Sequence, residues 1–349
     1  MKRRKQQKYE RYLFSDSPWT QDLTQRDLAE LIGWKKHQLE ALVRDKERYT
    51  RRKTEQIGSK MRDLAVPTGK LRTVHERLKF HLNKIKQPPY LFSPRKGRSQ
   101  RDNAEHHVDQ VQFLSLDIKQ FYPSTSDEHI FRWAYYVAGL RSDVAGLLVK
   151  LVAIDGKMPF GSPVSPVLTT HVHRPMFDEI YEVCRSQGLK MSLWVDDLTI
   201  SGQFVRGELV EAIRAIIRRQ GFKTHKINFR SAGRAKGGRS VVVTGVPVRA
   251  KRVDAPFSLQ KRVQNGYAKL RDDLTDVERA RAIDSLLSAL GTYRYHLGRS
   301  SSEGRKTAGR MQALRQRRAK LKFVTVTEID KNSIWKAIEP SKSGVPWHD

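Results

Sequence analysis

Apolar and polar residues alternate with the period of a β-strand in three stretches of the chain, and the stretches between them repeat with the period of a helix. VQFLSLDIKQFYP, starting at Val111, alternates and then meets Pro123, so it reads as a strand running into a turn. MSLWVDDLTISG, starting at Met191, sets an acidic pair between two β-prone halves, the pattern of a hairpin. SVVVTGVPV, starting at Ser240, is a third strand. HIFRWAYYVAGL and ELVEAIRAIIRRQG have helical spacing, the second stopped by Gly221. Residues 1 to about 60 are polar, basic and mostly helical in pattern; within them TQRDLAELIG is a short amphipathic helix with Thr24 as cap, Leu28 and Leu31 on one side and Gly33 at its end. From about residue 257 the pattern is helical again, through LQKRVQNGYAKLRDDL and ERARAIDSLLSALGTYRYHLG to the basic run GRMQALRQRRAKLK. Interleaved strands and helices with hairpin signals predict an α+β fold around an antiparallel sheet.

Charge adds a partner to this picture. The chain carries 67 Lys+Arg against 37 Asp+Glu, a formal +30 over 349 residues. Such a field repels itself unless a polyanion neutralises it, so nucleic acid is the expected partner. The single cysteine, Cys184, excludes an internal disulfide framework and a cysteine-based zinc site, and its helical setting predicts a core thiol. The basic opening MKRRKQQKYERYLF is not followed by the apolar run of a signal peptide, and no stretch approaches the length of a membrane span, so a cytoplasmic protein is expected. The last 25 or so residues read as a loose tail.

The chemistry lies in three carboxylates. Asp is disfavoured in strands because it is costly to bury and competes for backbone hydrogen bonds. Yet Asp117 sits in FLSLDI, and Asp196 and Asp197 in LWVDDLTI. A bound cation is the simplest compensation for carboxylates crowded together, and oxygen ligands with room for water and phosphate suit Mg²⁺. Two such ions can clamp the attacking and leaving oxygens of an in-line phosphoryl transfer. Taken alone, Asp196 and Asp197 also fit an ordinary turn.

LDIKQFYPS, MPFGSPVSPVLTT and WVDDLTISG, in that order, resemble motifs A, B and C of reverse transcriptases. The resemblance spans roughly residues 55 to 290. Within that superfamily it points to the bacterial retron enzymes through two short patterns: Asn103, Ala104 and His107 form NAxxH before motif A, and Val243, Thr244 and Gly245 form VTG after motif D. The resemblance implies a right-hand polymerase, with N-terminal helices and fingers over 1–110, an antiparallel-sheet palm over 111–252, and a basic helical thumb with a tail over 253–349. It makes Asp117, Asp196 and Asp197 the catalytic and metal-binding triad for two Mg²⁺ ions. Tyr122 becomes an aromatic gate against ribonucleotides, Arg62 and Arg72 triphosphate contacts, and Phe160 and Gly161 neighbours of the nascent base pair. The alternative readings are a core tyrosine for Tyr122, solvated charges for Arg62 and Arg72, and a satisfied loop histidine for His107.

The sequence also departs from the family. Phe160 replaces the usual Gln of motif B, and Trp194 and Val195 replace the Tyr-Ala of motif C. GFKTHKINFR lacks the usual motif D, with His225 where Asn is expected and Asn228 where Lys is expected; Lys226 is a displaced proton donor or an exposed strand lysine. The resemblance further implies a dedicated structured noncoding RNA as template and primer, deoxynucleotides as substrates and a branched RNA–DNA hybrid as product. Anti-phage defence with a separate effector protein follows from the same class. Lys261, Arg262, Tyr267, Lys269, Arg315, Arg317 and Arg318 are candidate RNA contacts, or a solvated helix face. The runner-up readings are a group II intron-like or abortive-infection reverse transcriptase, or a catalytically weak RNA-binding relative.

Overall fold

The computed structural model describes residues 11–57, 60–232 and 239–321. The first ten residues of the basic opening and the expected loose tail lie outside these. The chain divides into two compact units, Met1–Asp254 and Ala255–Asp349.

The first unit begins with helices set by local capping. The Thr24 hydroxyl accepts the Asp27 N–H, and the Asp27 carboxylate accepts the Thr24 N–H at 2.8 Å, so α1 (Gln25–Leu31) starts where the sequence predicts. Gly33, at φ 75°, ends it. After α2 (Lys36–Arg44) the helical expectation fails. Residues 50–57 form β1 (Thr50–Ile57), paired antiparallel with β2 (Lys60–Pro67). TRRKTEQI offers no apolar stripe for a helix to bury, whereas the adjacent strand satisfies its backbone. Next come α3 (Gly69–Leu82), β3 (Leu91–Ser93) and α4 (Gln100–His106), the last opened by a Ser99–Asp102 capping box.

The sheet that organises this unit starts with β4 (Gln112–Ile118), followed by α5 (Phe121–Ser124), α6 (Asp127–Arg132), α7 (Ser142–Val152), α8 (Ser165–Val172) and α9 (Arg174–Ser186). The predicted hairpin is β5 (Lys190–Trp194) and β6 (Asp197–Gly202); α10 (Glu208–Arg219) and β7 (Thr224–Ser231) follow. The strand order is β3-β5-β6-β4-β7. Four strands are antiparallel as expected, but β3 joins β5 in parallel. Nearly a hundred residues separate those two strands, so no tight turn fixes their relative direction. A second small sheet is made of β8 (Val241–Val243), β9 (Val246–Arg249) and β10 (Arg252–Val253).

The two faces of the large sheet differ in chemistry because alternate residues point oppositely. Leu114, Leu116, Ile118, Met191, Leu193, Leu198 and Ile200 form the apolar face and are buried with Phe177, Ile180, Ile213 and Ile217 of α9 and α10. Cys184 belongs to this core; burial pushes its thiol up to about 12, as befits an inert core residue. On the opposite face the register sets Phe113 opposite Ser201, Ser115 opposite Thr199 and Asp117 opposite Asp197. The Phe113 end is roofed by Ala104 of α4 and the valines of the small sheet. The other end carries the carboxylates.

Among the described residues the second unit has three helices, α11 (Phe257–Lys269), α12 (Asp276–Leu297) and α13 (Ser302–Ala319), around Val263, Ile283, Leu286, Leu290, Met311 and Leu314. Among the described residues no helix is long and apolar enough to cross a membrane.

Candidate active site

The β4–β6 ladder sets Asp117 directly across from Asp197. Trp194 pairs with Asp197, so Val195 and Asp196 are the two residues of the hairpin turn. Val195 adopts φ 63°, a region a β-branched residue enters at a cost of about 1–3 kcal/mol. The turn is pinned from both sides: Val195 N–H donates to Ser93 O at 3.0 Å, and Ile118 N–H donates to Asp196 O at 3.2 Å. Burial, and then the Asp117 charge, push the Asp196 carboxyl up to about 6. Burial, then Asp117 and Asp196, push Asp197 up to about 7. These are carboxylates crowded against one another. Among the described residues no group of three or more His, Cys, Asp or Glu side chains is gathered closely enough to hold an ion alone. An all-oxygen set of mutually repelling donors nevertheless fits a hard divalent cation, which takes one or two carboxylates and completes its shell with water and phosphate.

Beside the triad, three side chains stack that the sequence could name but not connect. The Arg62 guanidinium lies over the Phe160 ring, 4.7 Å from its centroid. Phe160 meets Tyr122 edge-on at 5.2 Å. The backbone fixes the pairing, because Ala65 N–H of β2 donates to Phe160 O at 3.0 Å. Gly161 follows at φ 102°, and a Cβ there would come within 2.9 Å of Val66 Cγ2, so only glycine permits this approach. Arg62 Nε is buried with no hydrogen-bond partner, and its charge reaches Asp196. A fixed cation with unused donors beside the carboxylates suits a phosphate-bearing ligand. Burial and the Asp196 charge raise the Tyr122 phenol above its ordinary pKa, so it keeps its proton.

NAxxH and VTG, 141 residues apart between Asn103 and Thr244, meet in the roof over the other end of the sheet. Asn103 Nδ2 donates to Thr244 Oγ1 at 3.2 Å, and Thr244 and Gly245 carry positive φ in the turn between β8 and β9. His107 is fully buried and joins the two strands of the β5–β6 hairpin, through Nδ1 to Ser201 Oγ at 2.6 Å and through Nε2 to Ser192 Oγ at 2.8 Å. Burial lowers its pKa well below the ordinary value, so the ring is neutral, one nitrogen donating and the other accepting. Its place is structural: it lets α4 pack on a polar strand face. His107→Ala strands two buried hydroxyls, so urea unfolding should show a loss of about 2–4 kcal/mol; a loss under 1 kcal/mol contradicts this role.

Acid sensitivity follows from the same burial. Besides His107, burial lowers His75 to about 4, His171 to about 4 and His173 to about 3. Depressed folded-state values mean that their contribution is present above the unfolded pKa and lost as pH falls through about 6 to 4. Asp196 and Asp197, with raised values, oppose this over about pH 7 to 4. His81 and His106 are lowered by burial as well, so the histidines outweigh the two carboxylates and unfolding near pH 5 should take up protons. The urea midpoint of the metal-free chain should therefore be lower at pH 5 than at pH 7; an equal or higher midpoint at pH 5 rules this out.

The remaining site candidates are dispersed. Arg72 is exposed on the first turn of α3, 3.6 Å from Glu76. Lys226 and His225 are exposed on β7. Asn228 and Arg230, opposite Ser115 and Phe113, share the carboxylate face, and the Arg230 charge acts on Asp197. Sequence reading passed over Arg230; its only signal was two-residue spacing from Asn228. In the second unit Lys261, Arg262, Lys269, Arg315 and Arg317 are exposed. Tyr267 instead packs on the helical core with its hydroxyl buried, and Arg318 is held by Asp284 at 2.5 Å.

Comparison with known proteins places this geometry. Residues 51–230, more than half of the chain, match the family model for reverse transcriptase (RNA-dependent DNA polymerase). The chain is 26% identical over 148 residues to the retron Ec86 reverse transcriptase of Escherichia coli, covering 42% of this chain and 46% of that protein. It is 29% identical over 143 residues to the retron Se72 reverse transcriptase of Salmonella heidelberg, covering 41% and 38%. It is 26% identical over 211 residues to the retron Mx65 reverse transcriptase of Myxococcus xanthus, covering 54% and 48%. The matches span about half or less of these relatives' lengths. A solved telomerase structure from Candida albicans, in complex with a telomeric RNA fragment, is 9% identical with a TM-score of 0.46, covering 84% of this chain and 66% of that one; a likeness so loose carries no conclusion. The relatives agree with the retron resemblance of NAxxH and VTG, and the chain belongs to the reverse transcriptase (RNA-dependent DNA polymerase) family.

Proposed function

We propose that the chain is a retron-type RNA-directed DNA polymerase, with fingers over 1–110, palm over 111–252 and thumb over 253–349. The observation that carries this reading is the pairing of Asp117 with Asp197, beside Asp196 in a doubly pinned turn, inside the segment that matches the family. Asp117, Asp196 and Asp197 would hold two Mg²⁺ ions, which when bound stabilise charge on the attacking and leaving oxygens of phosphoryl transfer. The chain's own side chains do the rest. Arg62, aimed by Phe160, grips the triphosphate. Tyr122 fills the space a 2′-hydroxyl needs, and Gly161 lets backbone approach the nascent pair. Tyr122→Ala should therefore raise ribonucleotide use relative to deoxynucleotide use by about tenfold or more in single-nucleotide extension; unchanged discrimination removes the gate.

The template and primer is a dedicated structured noncoding RNA, gripped by the exposed basic residues of the second unit, and the product is a branched RNA–DNA hybrid. Similarity to retron enzymes supports this, and anti-phage defence with a separate effector protein accompanies it. Expression of the gene with its flanking locus should yield small branched DNA, and none when Asp196→Ala and Asp197→Ala are combined. Absence of such DNA from the intact locus overturns the retron assignment; its persistence in the double variant overturns the catalytic one.

A further inference from the structure

Because β3 and β5 are parallel, the chain leaves β3 at the same end of the sheet at which β5 delivers the Val195–Asp196 turn. The segment that follows, from Pro94 to Ser99, contains Arg95 and Arg98. It is tied to the turn directly, through the hydrogen bond from Val195 N–H to Ser93 O.

Arg95 is held by backbone carbonyls, and Arg98 is exposed with a ring beneath it. Arg95 is half-buried, and its Nη1 donates to Pro88 O at 3.1 Å and to Leu91 O at 3.4 Å. Arg98 lies over the Phe92 ring, 5.1 Å from its centroid, and Phe92 meets His106 of α4 at 5.3 Å. Since α4 roofs the polar face of the sheet, Arg98 stands on the face that carries Asp117 and Asp197. Trp194 lies between, paired with Ser93 on one side and Asp197 on the other. The nearby acids are committed elsewhere: Asp102 to the Ser99 cap and Glu105 to Arg101. Burial, and then the charges of Arg98 and Arg11, lower the Arg95 pKa, so neighbouring cations act on it. Guanidinium groups placed in this way suit phosphate oxygens, and an interleaved aromatic suits the neighbouring sugar or base.

We propose that Arg95 and Arg98 bind backbone phosphates of the primer strand, a few nucleotides behind the end on which the three aspartates act. The assignment rests on the polymerase reading above. It falls to the primer because the arginine segment hangs from the strand that supports the catalytic turn, where the reacting primer end must lie.

The test scans single neutral methylphosphonates along the primer of an RNA-template/DNA-primer duplex, measuring affinity without nucleotide. The intact protein should lose about five- to tenfold in affinity at one or two positions near the primer end. The Arg95→Ala/Arg98→Ala variant should bind the unmodified duplex more weakly by a similar factor, show no further loss at those positions, and have its salt slope reduced by about 1–2. Arg95→Lys/Arg98→Lys should keep the slope. Affinity of the intact protein indifferent to primer methylphosphonates overturns the proposal without depending on any variant's folding. So does an effect confined to template-strand methylphosphonates, or the same positional loss in the alanine variant. Normal extension with no positional loss sinks this site alone, whereas positional loss without any DNA synthesis sinks the polymerase reading and leaves the site.

Discussion

Asp196→Ala and Asp197→Ala each lower DNA synthesis at least a thousandfold, about 4 kcal/mol of transition-state stabilisation, while primer–template affinity stays within about twofold. The magnitude follows from what the carboxylates share. Asp117 and Asp197 oppose each other across one ladder, and Asp196 sits in the adjoining turn. On the proposed two-ion reading, removing either partner leaves a donor set that cannot hold two cations in a fixed relation. The same two positions carry a second signature. Asp196 and Asp197 are pushed up to about 6 and about 7 by burial and mutual charge, so ionising them in the metal-free fold is unfavourable. Their folded values exceed the unfolded value, so the stability they contribute is present at low pH and lost as pH rises through about 6 and 7. At pH 8 the metal-free variants Asp196→Asn and Asp197→Asn should melt higher than the parent chain. Lower melting of both, or activity within tenfold of the parent in the alanine variants, removes the triad from the centre of the account.

Arg62→Ala lowers kcat/KM for deoxynucleotides by about a hundredfold, mostly through KM. The figure corresponds to losing charge-assisted hydrogen bonds from a cation already fixed beside the carboxylates. Its partner makes the result specific. Phe160 holds the guanidinium at 4.7 Å and braces Tyr122 at 5.2 Å, so one ring would position both the proposed phosphate contact and the proposed gate. Phe160→Leu should therefore raise KM about three- to tenfold and relax ribonucleotide exclusion at the same time, whereas Phe160→Tyr restores both. Arg62→Lys should not rescue, because an ammonium stacks and forks poorly compared with a guanidinium. A Phe160→Leu variant that changes neither quantity separates the ring from the site.

Much of this was legible in the sequence because it is local. Thr24 and Gly33 bound α1 through contacts a few residues away, and LWVDDLTI makes its hairpin from its own pattern. The aspartates stood out because their strands are otherwise apolar. The failures are non-local or weakly patterned. β1 is polar along its length and exists through pairing with β2, so a helical reading was the cheaper guess. The parallel entry of β3 leaves no mark in three residues. Nothing in Phe160 announces that β2 will dock on its carbonyl and bring Arg62 over its ring. His107 and Thr244 read as family marks, but that both belong to one roof over the sheet required the fold. The core packing of Tyr267 and the ion pair of Arg318 with Asp284 are likewise invisible in the basic, aromatic pattern that contains them.

The central claim is tested most directly by giving the purified chain a heteropolymeric RNA template, an annealed primer, Mg²⁺, and deoxynucleotides or ribonucleotides in separate reactions. The account predicts template-complementary DNA from the deoxynucleotides, little product from the ribonucleotides, and none when Asp196→Ala and Asp197→Ala are combined. RNA made in preference to DNA, or nucleotides added without regard to the template, would contradict it.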